Sequence, residues 1–346
     1  MTRGCPAAYK GWSLGPRDFF LAFRCSAPYR AIVPRPILLG IVGDSASGKT
    51  TLTRGLVRIL GEQQVTHISA DHYHRYDRRQ RAERGLTPLH PDCNYLDILE
   101  QHLAHLRAGE PIVKPVYRHQ DGTFAAAEYV RPAQFTIVEG LLGFHTLAMR
   151  ETYDVRVFLD PPEDLRRKWK VQRDCSRRGY TTDQVLEEID RREADAETFI
   201  RPQRRHADIV ISFTLGDRGD QEHLDARIAM RPGLVHPALA SVIAGDSGGL
   251  SLVTRGSEST LWVPGQISAE RSAAIEEAVW DRMHFASHLR TERLGEFTVG
   301  TALHRSEPLA ITQLLVLYQL VTARAATALG AEHARADRPE AAPAAY

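Results

Sequence analysis

Apolar positions in this chain fall into two alternating kinds of segment. Short, nearly continuous runs have the length and β-branched content of buried strands. They are Pro36-Ile37-Leu38-Leu39-Gly40-Ile41-Val42, Val65-Thr66-His67-Ile68-Ser69-Ala70, Phe135-Thr136-Ile137-Val138-Glu139-Gly140, the stretch Asp154 to Asp160, and Asp208-Ile209-Val210-Ile211-Ser212-Phe213. Between them apolar residues recur at helical spacing. Leu52, Leu56, Ile59 and Leu60 share one face, as do Leu96, Leu99, Leu103 and Leu106 before a stop at Gly109. A further helix begins near Glu163 and ends at Arg178, with Gly179 as its C′ residue. Strands alternating with helices predict an α/β fold with a central, mostly parallel sheet flanked by helices. One segment departs from this rhythm. Pro111 and Pro115 exclude Lys114–His119 from a central strand, and the Asp121-Gly122 turn makes it an edge hairpin presenting Tyr117 and His119.

The pattern changes after Phe213. Residues 214–235 read as polar linker, followed by short strands at Leu250–Val253 and Leu261–Val263. Ile275, Val279 and Met283 mark a helix running to about Arg290, and a last apolar helix spans about Glu307 to Ala325. The chain therefore divides into an extension (1–35), a core (36–213), a C-terminal α+β region packed on that core (214–326) and a tail (327–346) rich in Ala, Pro and charge. The extension holds six cations against Asp18 alone, but Ser is scarce and Phe19–Phe23 is too short for a secretory core. It reads as disordered, or as an upstream start, in preference to a targeting segment.

Composition narrows the function classes. The 346 residues suit one large domain or two small ones, and a net charge of +1 argues against a bulk electrostatic partner such as nucleic acid or an anionic membrane. Cys5, Cys25, Cys93 and Cys175 form no C-x-x-C pair or zinc spacing, so a reducing cytoplasm is the expected compartment. Ile311–Val321 is interrupted by Thr312, Gln313 and Gln319, which predicts a buried helix and no membrane span.

The chemistry begins at Gly43-Asp44-Ser45-Ala46-Ser47-Gly48-Lys49-Thr50, a complete G-x-x-x-x-G-K-[ST] loop between a strand and a helix, with Thr51 following. Such a loop aims backbone N–H groups and a helix N-terminus at phosphates. Lys49 would reach the β- and γ-phosphates of ATP, and Thr50 would ligate Mg²⁺. Ligands of open α/β sheets bind beyond the carboxyl ends of the strands. That rule places Asp71 near the γ-phosphate as a general base, although Asp is also a common N-cap. It places Glu139 where a carboxylate serves the metal. Lys170, Arg173, Asp174 and Arg177 lie at i, i+3, i+4 and i+7, followed by Arg178. They form either a solvated charged face or a lid of cations over a transferred phosphoryl group.

Together these residues resemble a known family. The order is the phosphate loop, Asp71-His72-Tyr73-His74, Asn94-Tyr95-Leu96-Asp97, Lys114 through His119, Val138-Glu139-Gly140-Leu141, and Lys170-Val171-Gln172-Arg173-Asp174 with Arg178-Gly179. It is similar to the plant and cyanobacterial type of phosphoribulokinase, a P-loop kinase fold shared with uridine kinase. Ile275–Arg324, with Ser287-His288-Leu289 and Gly295-Glu296, resembles that family's C-terminal region. The resemblance implies ATP- and Mg²⁺-dependent phosphorylation of D-ribulose 5-phosphate at its 1-hydroxyl, and suggests a homodimer. It implies Asp71 as base, and His74, Arg78, Tyr117 and His119 as sugar-phosphate contacts. Glu139 matches the family's acid near the metal. Lys170, Arg173 and Asp174 match its catalytic helix, and Arg178 its lid arginine. A kinase of a nucleoside or another sugar is the alternative within enzymes, and a non-catalytic nucleotide-binding protein lies outside them. Two positions depart from the plant pattern. His72 stands where the second of two acids is usual, and Ser47 and Ser69 stand where regulated relatives carry a redox pair of cysteines.

Overall fold

A strand buried on both faces is apolar throughout, and β1 (Ile37–Gly43) is the middle of such a sheet. The computed structural model describes residues 35–216, 223–243, 249–283, 289, 291–299 and 301–330. The expectations for residues 1–34, Ser287-His288 and the tail beyond Gly330 lie outside these described residues. In chain order β1 leads to α1 (Lys49–Leu60), β2 (Val65–Ser69), α2 (Arg78–Glu83) and α3 (Leu96–Ala108). The hairpin β3 (Ile112–Arg118) and β4 (Thr123–Val130) follows, then β5 (Phe135–Gly140), α4 (Leu147–Thr152), β6 (Val155–Leu159), α5 (Glu163–Arg178) and α6 (Thr182–Asp195). The chain continues through β7 (Ile209–Leu215), β8 (Leu224–Met230), α7 (Ala240–Ile243), β9 (Ser251–Arg255) and β10 (Glu258–Val263). It closes with α8 (Ala269–Trp280), β11 (Glu296–Val299), β12 (Ala302–Arg305) and α9 (Glu307–Ala328).

Eight strands form one sheet in the order β2-β5-β1-β6-β7-β8-β10-β9. The first five run parallel, and the last three are added antiparallel. Alternate residues of β1 face opposite layers. Ile37, Leu39 and Ile41 join α1, α8 and α9 in one core, while Leu38 and Val42 join α3, α4, Phe144 and Tyr153 in the other.

The linker reading of residues 214–235 is corrected here. β7 runs on to Leu215, and Leu224–Met230 form β8, paired antiparallel with it. Ala226, Ile228 and Met230 point into the core, while Asp225 and Arg227 alternate with them and mask the period of two. The C-terminal strands thus extend the central sheet itself. The helix expected to reach about Arg290 stops at Trp280. Two tighter bonds, Arg282 N–H to Val279 O and Met283 N–H to Trp280 O, turn the chain so that Met283 is buried. α2 starts on a capping box between Asp77 and Gln80.

α9 is capped by Ser306, whose hydroxyl accepts from the Leu309 N–H, and it is the one helix among the described residues long and apolar enough to cross a membrane. Its middle is core: Gln313 and Gln319 are buried and bonded, to the Gly295 N–H (2.7 Å) and the Val235 carbonyl (3.0 Å) respectively. The β3–β4 hairpin forms its own two-stranded sheet apart from the main one, with a register shift between Lys114 and Val116 at Pro115.

Candidate active site

The phosphate loop joins the carboxyl end of β1 to the first turn of α1. Gly48 precedes the helix in the left-handed region (φ +96°), and no side chain caps the helix there. The first-turn N–H groups are therefore left for an anion. Ala46 is the single non-glycine residue with positive φ (+63°) among the described residues, a strain of the kind held at ligand-binding loops. Lys49 curls back over the loop, its Nζ donating to the carbonyls of Gly43 (2.8 Å) and Asp44 (2.7 Å). Burial lowers the Lys49 pKa, against the opposing pull of Asp71, Glu139 and Asp44. Asp44 Oδ2 and Ser47 Oγ are buried without a hydrogen-bond partner. The uncapped helix start, with the Ser47 hydroxyl as a spare donor beside it, fits a bound polyphosphate; the Asp44 oxygen, an acceptor, has no such role. Thr50 and Thr51 lie exposed in the first turn.

Glu139, at the end of β5, faces that turn. Thr50 Oγ1 and Thr53 Oγ1 donate to its two oxygens at 3.4 Å each, and His67 Nε2 on β2 is 3.1 Å from Oε1. Among the described residues no trio of His, Cys, Asp or Glu is arranged to hold a metal. Thr50 with Glu139 fits Mg²⁺, which takes one or two protein ligands and completes its shell with phosphate oxygens and water. His67 was not foreseen, because it stands in a strand run that read as structure only.

Asp71 sits on a single 3₁₀ turn, Ala70–Tyr73, that follows β2 directly. Gly140 brings β5 against this turn: a Cβ there would lie 2.5 Å from Ala70 Cβ. Burial alone would raise the Asp71 carboxyl, but His74, Lys49 and His119 turn the shift downward. His74 is itself driven to about 4 by burial, so it is neutral at pH 7; Lys49 comes next among the groups that pull the Asp71 carboxyl down. The His74 tautomer follows from Asn94. That amide spends its NH₂ on the carbonyls of Pro88 and His90, so its Oδ1 accepts from His74 Nδ1–H at 2.8 Å. His74 Nε2 is left as a lone-pair acceptor.

The Tyr117 ring meets the edges of His74 (4.7 Å) and His119 (5.1 Å). Its hydroxyl accepts from Arg81 Nη2 at 2.7 Å, and the Arg81 guanidinium lies 5.1 Å over the ring. Arg81 is 8% exposed and forms no ion pair among the described residues; it also donates to the Tyr76 carbonyl (3.1 Å) and hydrogen-bonds the Cys93 thiol. Sequence reasoning named Arg78 in this region. The structure puts Arg78 on the surface, donating to the His119 carbonyl at 2.6 Å, where it holds the hairpin turn. Arg78 stands at the exposed start of α2, while Arg81, one turn further in, is buried against Tyr117; the capping box marks that start and is the signal that could have found it.

On α5 the structure brings Lys170, Arg173 and Asp174 together as the spacing predicts, while the Arg177 side chain lies outside what is described. Asp174 accepts from Lys170 Nζ (2.9 Å) and Arg173 Nε (2.8 Å), with Arg178 Nη1 at 3.5 Å. Burial would raise Asp174, but Arg173 and Lys170 bring it to about 2, and burial brings Lys170 to about 8. The cluster is thus ionised at pH 7 with cations in excess. It is tied to the phosphate loop through Arg173 to Ser45 Oγ (3.3 Å) and Arg166 to the Ser45 carbonyl (3.1 Å). Arg166 was missed, although it lies one turn before Lys170 on the same face. A cleft of 480 Å³ lies elsewhere, at the opposite end of α1 between Arg58, Gln63 and Arg293.

This geometry has known counterparts. The family model described as Phosphoribulokinase / Uridine kinase family matches residues 38–216. The chain belongs to that family. It is 38% identical over 177 residues to a phosphoribulokinase of Synechocystis sp., covering 51% of this chain and 53% of the relative. It is 32% identical over 194 residues to a uridine kinase of Oceanobacillus iheyensis, covering 55% of this chain and 90% of that one. A solved phosphoribulokinase from Rhodobacter spheroides aligns over 73% of this chain and 99% of its own, with TM-score 0.53 at 22% identity, a likeness of fold. The chain spans about half the length of the first curated phosphoribulokinases of the family that it matches.

Proposed function

We propose that this chain transfers the γ-phosphoryl group of ATP, with Mg²⁺, to the 1-hydroxyl of D-ribulose 5-phosphate, giving ribulose 1,5-bisphosphate and ADP. The observation that carries the reading is Arg81. A buried guanidinium without a carboxylate is costly, and the cost is recovered when an anion enters. A sugar phosphate supplies that anion beside Tyr117, the ring that also meets His74 and His119.

Phosphoryl transfer depends mainly on positioning and charge neutralisation. Ionised Asp71 takes the proton of the acceptor hydroxyl. Lys49, Lys170, Arg173 and Arg178 face the charge that develops on the transferred group, and Asp174 fixes three of these four in place. Thr50 and Glu139 hold the metal, which supplies further charge neutralisation when bound. His74 Nε2, Tyr117 and His119 line the acceptor side, and Arg78 holds their hairpin while Arg81 meets the phosphate. ADP release measured with ribulose 5-phosphate and with uridine tests the reading; turnover with the sugar phosphate alone is the expected result.

A nucleoside acceptor is the second reading. It is favoured by the uridine kinase relative, of which the chain covers 90%. Arg81 opposes it, because an uncharged nucleoside leaves that guanidinium unpaired.

A further inference from the structure

We propose that His72 is a positioning residue: as a neutral imidazole it latches the β3–β4 hairpin, and with it Tyr117 and His119, onto the turn that carries Asp71. The observation is a hydrogen bond from the Tyr117 N–H to His72 Nδ1 at 3.0 Å. The hairpin shares no ladder with the main sheet, and a two-stranded hairpin alone is marginal in water. Its placement therefore rests on side-chain ties at three levels. Ile112 and Val130 fix the base in the core beside α3. Arg78 fixes the tip through its N–H to the Gly122 carbonyl (2.8 Å) and its guanidinium to the His119 carbonyl. His72 fixes the middle, at the residue whose ring lies against His74. Tyr117 and His119 are two residues apart on one side of the hairpin, so the peptide held by His72 sets both.

An N–H donor requires a lone pair on Nδ1, so the ring carries its proton on Nε2. A protonated imidazole has no lone pair, so proton uptake and the latch exclude one another. The groups facing His72 are Lys114 and His119 from β3 and its following turn, Glu128 from β4 and Asp71 from its own turn. Lys114 is buried and ion-paired with Glu128 at 2.7 Å. Burial, Lys114 and His119 lower the His72 pKa and outweigh the opposing pull of Asp71 and Glu128. The sign follows. A histidine whose pKa is lowered in the closed state binds its proton better when the hairpin is open. The latch is complete above the ordinary histidine value of about 6.5, and is lost as pH falls through the lower closed-state value.

Amide hydrogen exchange across residues 112–130 tests the latch without reference to any acceptor. Loss of one neutral hydrogen bond predicts that His72→Ala speeds exchange of the Tyr117 amide by roughly 3- to 10-fold near pH 7.5. His72→Asn offers Oδ1 close to the place of Nδ1 and restores protection, without the acid sensitivity of the wild type. Unchanged exchange in His72→Ala, or an Asn variant as fast as the Ala variant, overturns the proposal. Should the variants fold poorly, the wild type still decides. Its protection, corrected for intrinsic exchange, must fall between about pH 7.5 and pH 5, and a flat profile overturns the latch. The kinetic arm rests on the kinase reading. There His72→Ala raises KM for the acceptor with KM for ATP held within about two-fold, and His72→Asn restores it. If no acceptor turns over while exchange behaves as stated, the proposed function fails and the latch stands.

Discussion

Replacing Arg81 by Met separates a ligand-reading arginine from a structural one, because the two roles predict opposite signs. The side chain is 8% exposed and among the described residues bonds neutral groups, the Tyr117 hydroxyl, the Tyr76 carbonyl and the Cys93 thiol. Met conserves much of the volume, so packing loss is small. Removing the bond to the buried Tyr117 hydroxyl costs about 1 kcal/mol. Removing an unpaired buried charge returns a desolvation penalty that is several kcal/mol in general. Stability of the ligand-free protein should therefore change by no more than about 1 kcal/mol, or rise. Against the acceptor the sign reverses. A charge-assisted hydrogen bond to phosphate is worth about 1.5–3 kcal/mol, which is roughly 10- to 150-fold in KM at 1.4 kcal/mol per decade. KM for ATP should be unaffected. Urea unfolding and steady-state ADP release measure the two halves. A loss of more than about 3 kcal/mol of stability with an unchanged acceptor KM would refute the reasoning and make Arg81 a strut of the hairpin.

Three further outcomes follow from the site. Asp71→Asn should keep ATP affinity and lose roughly 10²- to 10⁴-fold in kcat, the range for a general base; near-normal turnover removes Asp71 from that role. Gly140→Ala should destabilise by about 1–3 kcal/mol through its clash with Ala70 and lower kcat by displacing the Asp71 turn, measured by thermal unfolding and turnover. Mild oxidant and reductant should leave activity unchanged, since Ser47 and Ser69 occupy the positions where a thiol switch would need cysteines; a large reversible loss on oxidation contradicts this.

What was legible in the sequence was whatever its own local pattern fixes. The phosphate loop is one contiguous motif between an apolar run and a helical face, and Lys49, Thr50 and Gly48 stand where it puts them. Lys170, Arg173 and Asp174 follow from helical spacing, and the structure ties them through the one carboxylate to Arg178, which the spacing did not include. What was not legible depends on partners distant in sequence. The charged residues of β8 conceal a buried period of two that only pairing with β7 makes meaningful. Arg81 and Arg78 look equivalent in an arginine-rich stretch, three residues apart on one helix face, and only the packing of the distant hairpin decides which one meets Tyr117. His67 reaches Glu139 across two neighbouring strands, a contact set by sheet order.

The central claim is an ATP-dependent kinase whose acceptor carries a phosphate. ADP release with Mg²⁺ and ATP, run in parallel on ribulose 5-phosphate, on ribulose without its phosphate and on uridine, tests it most directly. Turnover of the phosphorylated sugar, with the other two slower by at least the roughly 10-fold that one charge-assisted contact supplies, is the result the account predicts. Turnover of uridine or of the unphosphorylated sugar at a comparable kcat/KM would contradict it.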